Sequence, residues 1–172
     1  LRRGVFFADD PAFKGARREV QARDFVYMFQ RAVDPANISP SEADFIDLGI
    51  LGLEQARDAA KKSGRFDYDR PIEGLQTPDS HTLRIVLAKP RPRLLQSLAD
   101  HSICGAVARE VVAFYGDKIS EHPVGTGPFR LKDWRRSSRV VLERNPQYRE
   151  VLYDAEPAAD DAAGQAMLKK FK

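Results

Sequence analysis

Apolar and polar positions follow two rhythms along this chain, and the switches between them outline its elements. Leu1–Ala8 alternates, with Val5 and Phe7 on one face and Phe6 on the other, which predicts a strand. Thr82–Ala88 alternates more strictly through Leu83, Ile85 and Leu87, so one face of that strand is expected to be buried. It pairs with Ile72–Thr77 across Pro78-Asp79-Ser80-His81, residues that favour a turn. A second hairpin is predicted from Phe129–Trp134 and Arg139–Glu143, joined by the polar link Arg135-Arg136-Ser137-Ser138. Simple alternation puts Phe129 and Leu131 on one face and Arg130, Lys132 and Trp134 on the other, while Val140 and Leu142 share a face. Gly125-Thr126-Gly127-Pro128 makes a corner before this hairpin, and Asn145-Pro146 stops it.

The period lengthens elsewhere. From Glu19 the pattern is helical, with Phe25, Val26, Phe29 and Val33 at three- and four-residue steps and Asp24 in the first turn. Asp34-Pro35 ends that helix. Asn37–Gly52 reads as a mixed loop. Leu53–Ser63 reads as a surface helix stopped by Gly64. Leu94, Leu95, Leu98 and Ala99 predict a short amphipathic helix, and Val107–Tyr115 another, closed by Gly116-Asp117. The expected fold class is therefore α+β: two antiparallel β-hairpins and an N-terminal strand packed with three or four helices.

Composition narrows the function. The 172 residues are 42% hydrophobic and 31% charged, the balance of a globular chain. No run approaches the roughly 18–20 apolar residues of a membrane span. No initiator Met and no secretory signal core is present, and the chain reads as an excised fragment. Net charge is +3, from 28 basic and 25 acidic residues spread along the chain. The densest basic spot, Arg135, Arg136 and Arg139, lies at a hairpin turn. Trp134 beside it reads as a hairpin cap, so no nucleic-acid partner is expected. Cys104, the single cysteine, has no intramolecular disulfide partner. It lies three residues from His101, but a small cysteine in apolar context reads as inert packing rather than as a nucleophile. His81, His101 and His122 are scattered and form no metal-ligand pattern, and Gly125–Phe129 lacks the lysine of a phosphate loop. Neither an enzyme nor a cofactor site is expected.

Three stretches carry a resemblance. His122-Pro123-Val124-Gly125-Thr126-Gly127-Pro128-Phe129, followed by Leu131, Trp134 and Arg139–Tyr148, resembles the family 5 extracellular solute-binding proteins, the dipeptide- and oligopeptide-binding proteins of bacterial ABC importers. The start of the chain is similar to the same family at Leu1-Arg2, Gly4-Val5, Phe7, Asp9, Ala22, Asp24, Val26-Tyr27, Arg31 and Asp34-Pro35. Gly74–Ala99 follows a third family pattern. Asp10 stands where a glycine is usual, Met28 where a serine is common, and Pro11–Arg18 resembles an insertion.

The resemblance implies part of a periplasmic-binding-protein fold of type II-like architecture. Residues 1–150 would form the smaller domain with its return into the first lobe, and residues 151–172 an Ala/Asp-rich tail expected to be poorly ordered. It implies the substrate-binding component of an ABC importer, a monomer in the periplasm (or anchored outside the membrane). Such a protein captures di- or oligopeptides and delivers them to a permease in the inner membrane. Other solutes of the family, such as a nickel chelate, a sugar or an opine, are alternatives. So is a protein-interaction domain working through its hairpin edges. Carried over residue by residue, the family's ligand loops fall at Ser41, with Ser39 beside it, and at His101, with Ser102 beside it. Ser41 occupies a place where peptide-binding members carry an aromatic.

Overall fold

The computed structural model describes residues 1–100, 104–151 and 156–171. Helix α1 (Ala22–Val33) is its axis. Asp24 folds back to accept the Gln21 backbone N–H at 2.7 Å, which satisfies one of the donors left open at the helix start. Ala22, Met28, Phe29 and Val33 are buried, so α1 presents a broad apolar side to its neighbours. Its end is set by Asp34, whose carboxylate accepts the Ala36 N–H at 2.9 Å and starts a single 3₁₀ turn, Pro35–Asn37.

Helix α2 (Glu42–Asp47) lies inside the stretch predicted as a loop. It is six residues long, too short for periodicity to reveal, and it is anchored by Phe45, which meets Phe29 edge-on at 5.4 Å. Helix α3 (Leu53–Ser63) runs between two left-handed glycines, Gly52 and Gly64, and buries Leu53 and Ala60. Strands β1 (Leu75–Asp79) and β2 (Thr82–Ile85) pair antiparallel, with an extra residue on β1 between Gln76 and Asp79. Pro78 falls in that irregularity, where a missing N–H does least harm. The segment Gly49–Leu51 extends the hairpin: Leu51 N–H donates to the Val86 carbonyl and Gly74 N–H to that of Leu51. These elements enclose one core, with Phe29, Val33 and Leu53 at its centre.

Helix α4 (Leu94–Ala99) packs on that core, and helix α5 (Arg109–Tyr115) closes a second, smaller one with Phe7, Phe13 and Val20. The predicted N-terminal strand is reduced to one antiparallel bridge, Phe6 to Glu19. Gly4, at a φ of 76°, interrupts the extended run before it. Asp10 caps a 3₁₀ turn just after it, so no ladder can grow.

Strands β3 (Phe129–Arg135) and β4 (Arg139–Arg144) form the second predicted hairpin. Leu131 faces Leu142 and Asp133 faces Val141, so β3 carries one residue more, Lys132. That bulge corrects the simple alternation: Trp134, opposite Val140, joins the face of Phe129, Leu131 and Leu142. The glycine corner holds the hairpin to the rest. Gly125 accepts the Ala8 N–H at 2.8 Å, and buried Asn145 donates its backbone N–H to Pro128 at 2.8 Å and its side chain to Gly127 at 3.1 Å. Within residues 151–172, where no element is predicted, helix α6 runs Ala162–Phe171. The fold is α+β as expected. Its described residues hold six helices rather than three or four, because α2 and α6 add to the predicted set.

Candidate functional site

Ser39, Pro40 and Ser41 lead directly into α2. The Ser39 hydroxyl accepts the Ser41 N–H at 3.3 Å, and Ser41 occupies the N-cap position of the helix. Helical steps of three then carry the Ser41 side of α2 through Asp44 and Asp47. These two acids and Leu48 form one wall of a cleft of about 820 Å³. The opposite wall is the segment Arg91–Leu94 with Ser97 and Asp100 of the α4 region. This volume lies in the roughly 300–1,000 Å³ range of small-ligand sites.

Local backbone chemistry shapes both walls. Gly49, at a φ of 69°, turns the chain after α2 and leaves room above itself: an added Cβ would meet the Arg91 guanidinium at 3.5 Å. Arg91 thus lies across a glycine, and its carbonyl accepts the Leu94 N–H that starts α4. The cleft carries both signs of charge, with Arg91 and Arg93 facing Asp44 and Asp47, a mixture suited to a solute with charged ends.

A second cleft, of about 590 Å³, lies between α1, α5 and the segment Tyr68–Ile72. Its charged groups are largely committed to one another. Arg18 binds Asp24 and Glu110, and Arg109 binds Asp69 at 2.6 Å. Burial opposes the charge on Arg18, but the hydrogen bonds it donates to Asp24 and Glu110, with their negative charges, outweigh it and raise its pKa. Burial likewise works against the Glu110 carboxylate, yet Arg18 holds its pKa below the ordinary value. The Tyr68 hydroxyl is pushed up by burial and by the bond it donates to Asp34 at 2.5 Å. This cleft reads as a structural seam.

The structure brings Ser39 and Ser41 together at the head of the α2 wall. His101 and Ser102 lie outside the described residues; Asp100, just before them, lines the cleft. Arg91, Arg93, Asp44 and Asp47 are missed by motif reasoning. The one visible sign is the run Lys89-Pro90-Arg91-Pro92-Arg93, whose prolines forbid a regular element between β2 and α4. Cys104 is half-buried against the main core, and burial raises its thiol pKa, which suits packing and not nucleophilic work. His122 stacks on Tyr115 at 3.8 Å, and His81 sits in the β1–β2 turn within 3.5 Å of Glu19. Among the described residues, no group of three or more His, Cys, Asp or Glu could hold a metal ion, and no helix is long and apolar enough to cross a membrane.

The sequence profile of the bacterial extracellular solute-binding proteins, family 5 Middle, matches residues 1–170. The chain belongs to this family. Among family 5 relatives, the periplasmic oligopeptide-binding protein OppA of Escherichia coli K12 is 34% identical over 134 residues, which is 75% of this chain and 23% of that protein. Di/tripeptide-binding protein 2 of Pseudomonas aeruginosa is 31% identical over 168 residues, 93% of this chain and 27% of that protein. The crystal structure of Haemophilus influenzae OppA in complex with the peptide RPPGFSPFR superposes with a TM-score of 0.67 at 26% identity, covering 86% of this chain and 26% of that one. The fold is thus that of a part of the family 5 binding proteins. The chain spans about a quarter of the length of these relatives.

Proposed function

We propose that these residues work within a longer polypeptide, the substrate-binding component of an ABC importer that captures di- or oligopeptides. The family match over residues 1–170 carries this reading, and the names of its relatives, an oligopeptide-binding and a di/tripeptide-binding protein, point to peptides. Residues 1–150 act as the smaller domain with its return into the first lobe. Ser39 and Ser41, at the head of the α2 wall, contact the ligand, and His101 and Ser102 are the further ligand contacts that the family pattern implies.

The mechanism is capture without covalent chemistry. Lobes that close on a peptide exclude water, which strengthens each remaining polar contact. Backbone groups of the peptide are met by hydrogen bonds, while bridging waters fill what its side chains leave open. The closed form then presents a changed surface to a permease in the inner membrane. The carrier is a monomer, in the periplasm as the name of its OppA relative has it or tethered outside the membrane.

The test is a thermal-shift screen of the full polypeptide carrying these residues, with di- to pentapeptides, nickel chelates, sugars and opines. A saturating ligand raises the melting temperature by mass action. Upward shifts with peptides alone are expected. A shift with only a non-peptide solute would replace peptides with that solute, and silence throughout would overturn capture as the function.

A further inference from the structure

Ile38 stands out from every other exposed apolar residue. Its φ and ψ are 48° and 49°, the left-handed region that β-branched side chains avoid. It is also 86% exposed, more than any other large hydrophobic residue among those described. The two other non-glycine residues at positive φ are Lys14 and Ser137, which carry no branched apolar side chain. An isoleucine that packs on nothing gains no burial, and asparagine or glycine would hold this backbone at lower cost.

The strained turn is fixed from beneath. Asn37 donates its side-chain amide to the Arg31 carbonyl at 2.9 Å and to the Tyr68 hydroxyl at 3.2 Å. Tyr68 in turn donates to Asp34, the residue that caps the turn. Ile38 itself closes the turn through its N–H to the Pro35 carbonyl at 3.4 Å. A polar clamp from α1 and the Tyr68 segment therefore holds the backbone of this turn, and with it the outward direction of Ile38. Such over-determined strain is characteristic of sites with a task. Three residues later the chain reaches Ser41 and the α2 wall of the mixed-charge cleft.

We infer that Ile38 is a specificity-determining residue that meets an apolar side chain of the captured peptide. The inference rests on the peptide-capture reading. Preorganisation fits the role, because an apolar knob on a held backbone loses little freedom when the ligand arrives.

The experiment compares the full polypeptide with its Ile38→Asn and Ile38→Val variants. Calorimetric affinities are measured for matched peptides with and without apolar side chains, alongside melting temperatures. Ile38→Asn should weaken apolar peptides about tenfold and leave the others unchanged, as loss of one buried apolar contact implies. Its melting temperature should equal or exceed that of the parent, since asparagine suits the left-handed backbone, and Ile38→Val should keep the affinity. Unchanged affinity for apolar peptides overturns the inference. So does an equal loss for all peptides, which would place Ile38 in lobe closure, or a clear drop in melting temperature, which would make its role structural. A parent that binds no peptide sinks the capture reading itself, and the inference with it, and is recognised from the parent alone.

Discussion

The guanidinium of Arg18 grips both carboxylate oxygens of Asp24, at 2.6 and 3.0 Å. The same side chain reaches Glu110 with its Nε at 2.5 Å, so one arginine ties the end of the Pro11–Arg18 segment to the starts of α1 and α5. A planar fork is needed for this, and lysine could not reproduce it.

Removing the arginine should therefore cost far more than an exposed ion pair. Asp24 is only 2% exposed and Arg18 12%, so Arg18→Met leaves a carboxylate with no cationic partner in a dry place, held by the Gln21 N–H alone. The expected loss is about 3–5 kcal/mol, read from urea unfolding. A loss below about 1 kcal/mol, the scale of a surface pair, would show that Asp24 is better solvated than the structure indicates.

The Glu110 carboxylate gives this cluster a pH signature. Its pKa is lowered in the folded state, so the unfolded chain takes up a proton first as pH falls. The stabilisation is complete above the unfolded value and disappears as pH drops through the lower folded value. Stability of the parent should decline across that acidic window. Glu110→Gln should flatten part of the decline in melting temperature between pH 6 and pH 3 (roughly the carboxylate range). Parallel profiles for parent and variant would be the contrary result.

Gly74 is required for space rather than for backbone freedom. A Cβ there would lie 2.6 Å from the Leu51 nitrogen and 2.7 Å from its carbonyl oxygen, both backbone atoms. Gly74→Ala must push apart the Gly49–Leu51 segment and the hairpin. A destabilisation of about 1–3 kcal/mol is expected, with faster amide exchange at Leu51 and Val86. Full stability with unchanged exchange would contradict the close approach.

Cys104 should be a poor nucleophile. Burial raises its thiol pKa, so less thiolate is present at neutral pH than in a free cysteine. Modification by a disulfide reagent at pH 7.5 should run slower than for glutathione and accelerate on unfolding. Reaction at or above the glutathione rate would revive a chemical role for this residue.

Both hairpins and the axis α1 can be read from the chain because their apolar positions repeat long enough to count. Leu83–Leu87 and Phe25–Val33 are cases where pattern and packing agree. Helix α2 is hidden because a single residue, Phe45, anchors it, and that anchor is meaningful only once Phe29 is opposite. Trp134 is assigned to the wrong face by simple alternation, since a bulge at Lys132 is a property of strand pairing and not of one strand. Of the site, Ser39 and Ser41 are legible only through a resemblance. The charged walls built by Asp44, Asp47, Arg91 and Arg93 come from segments far apart in the chain, which no local pattern connects.

The added residue in β3 has an optical consequence. Trp134 is the chain's single tryptophan, and the bulge turns it toward Phe129, Leu131, Val140 and Leu142 with 40% of its surface still open to water. Tryptophan emission from these 172 residues is therefore a one-point gauge of whatever lies over the hairpin. It moves to the blue when that apolar face is covered and to the red when it is wetted, with no label introduced.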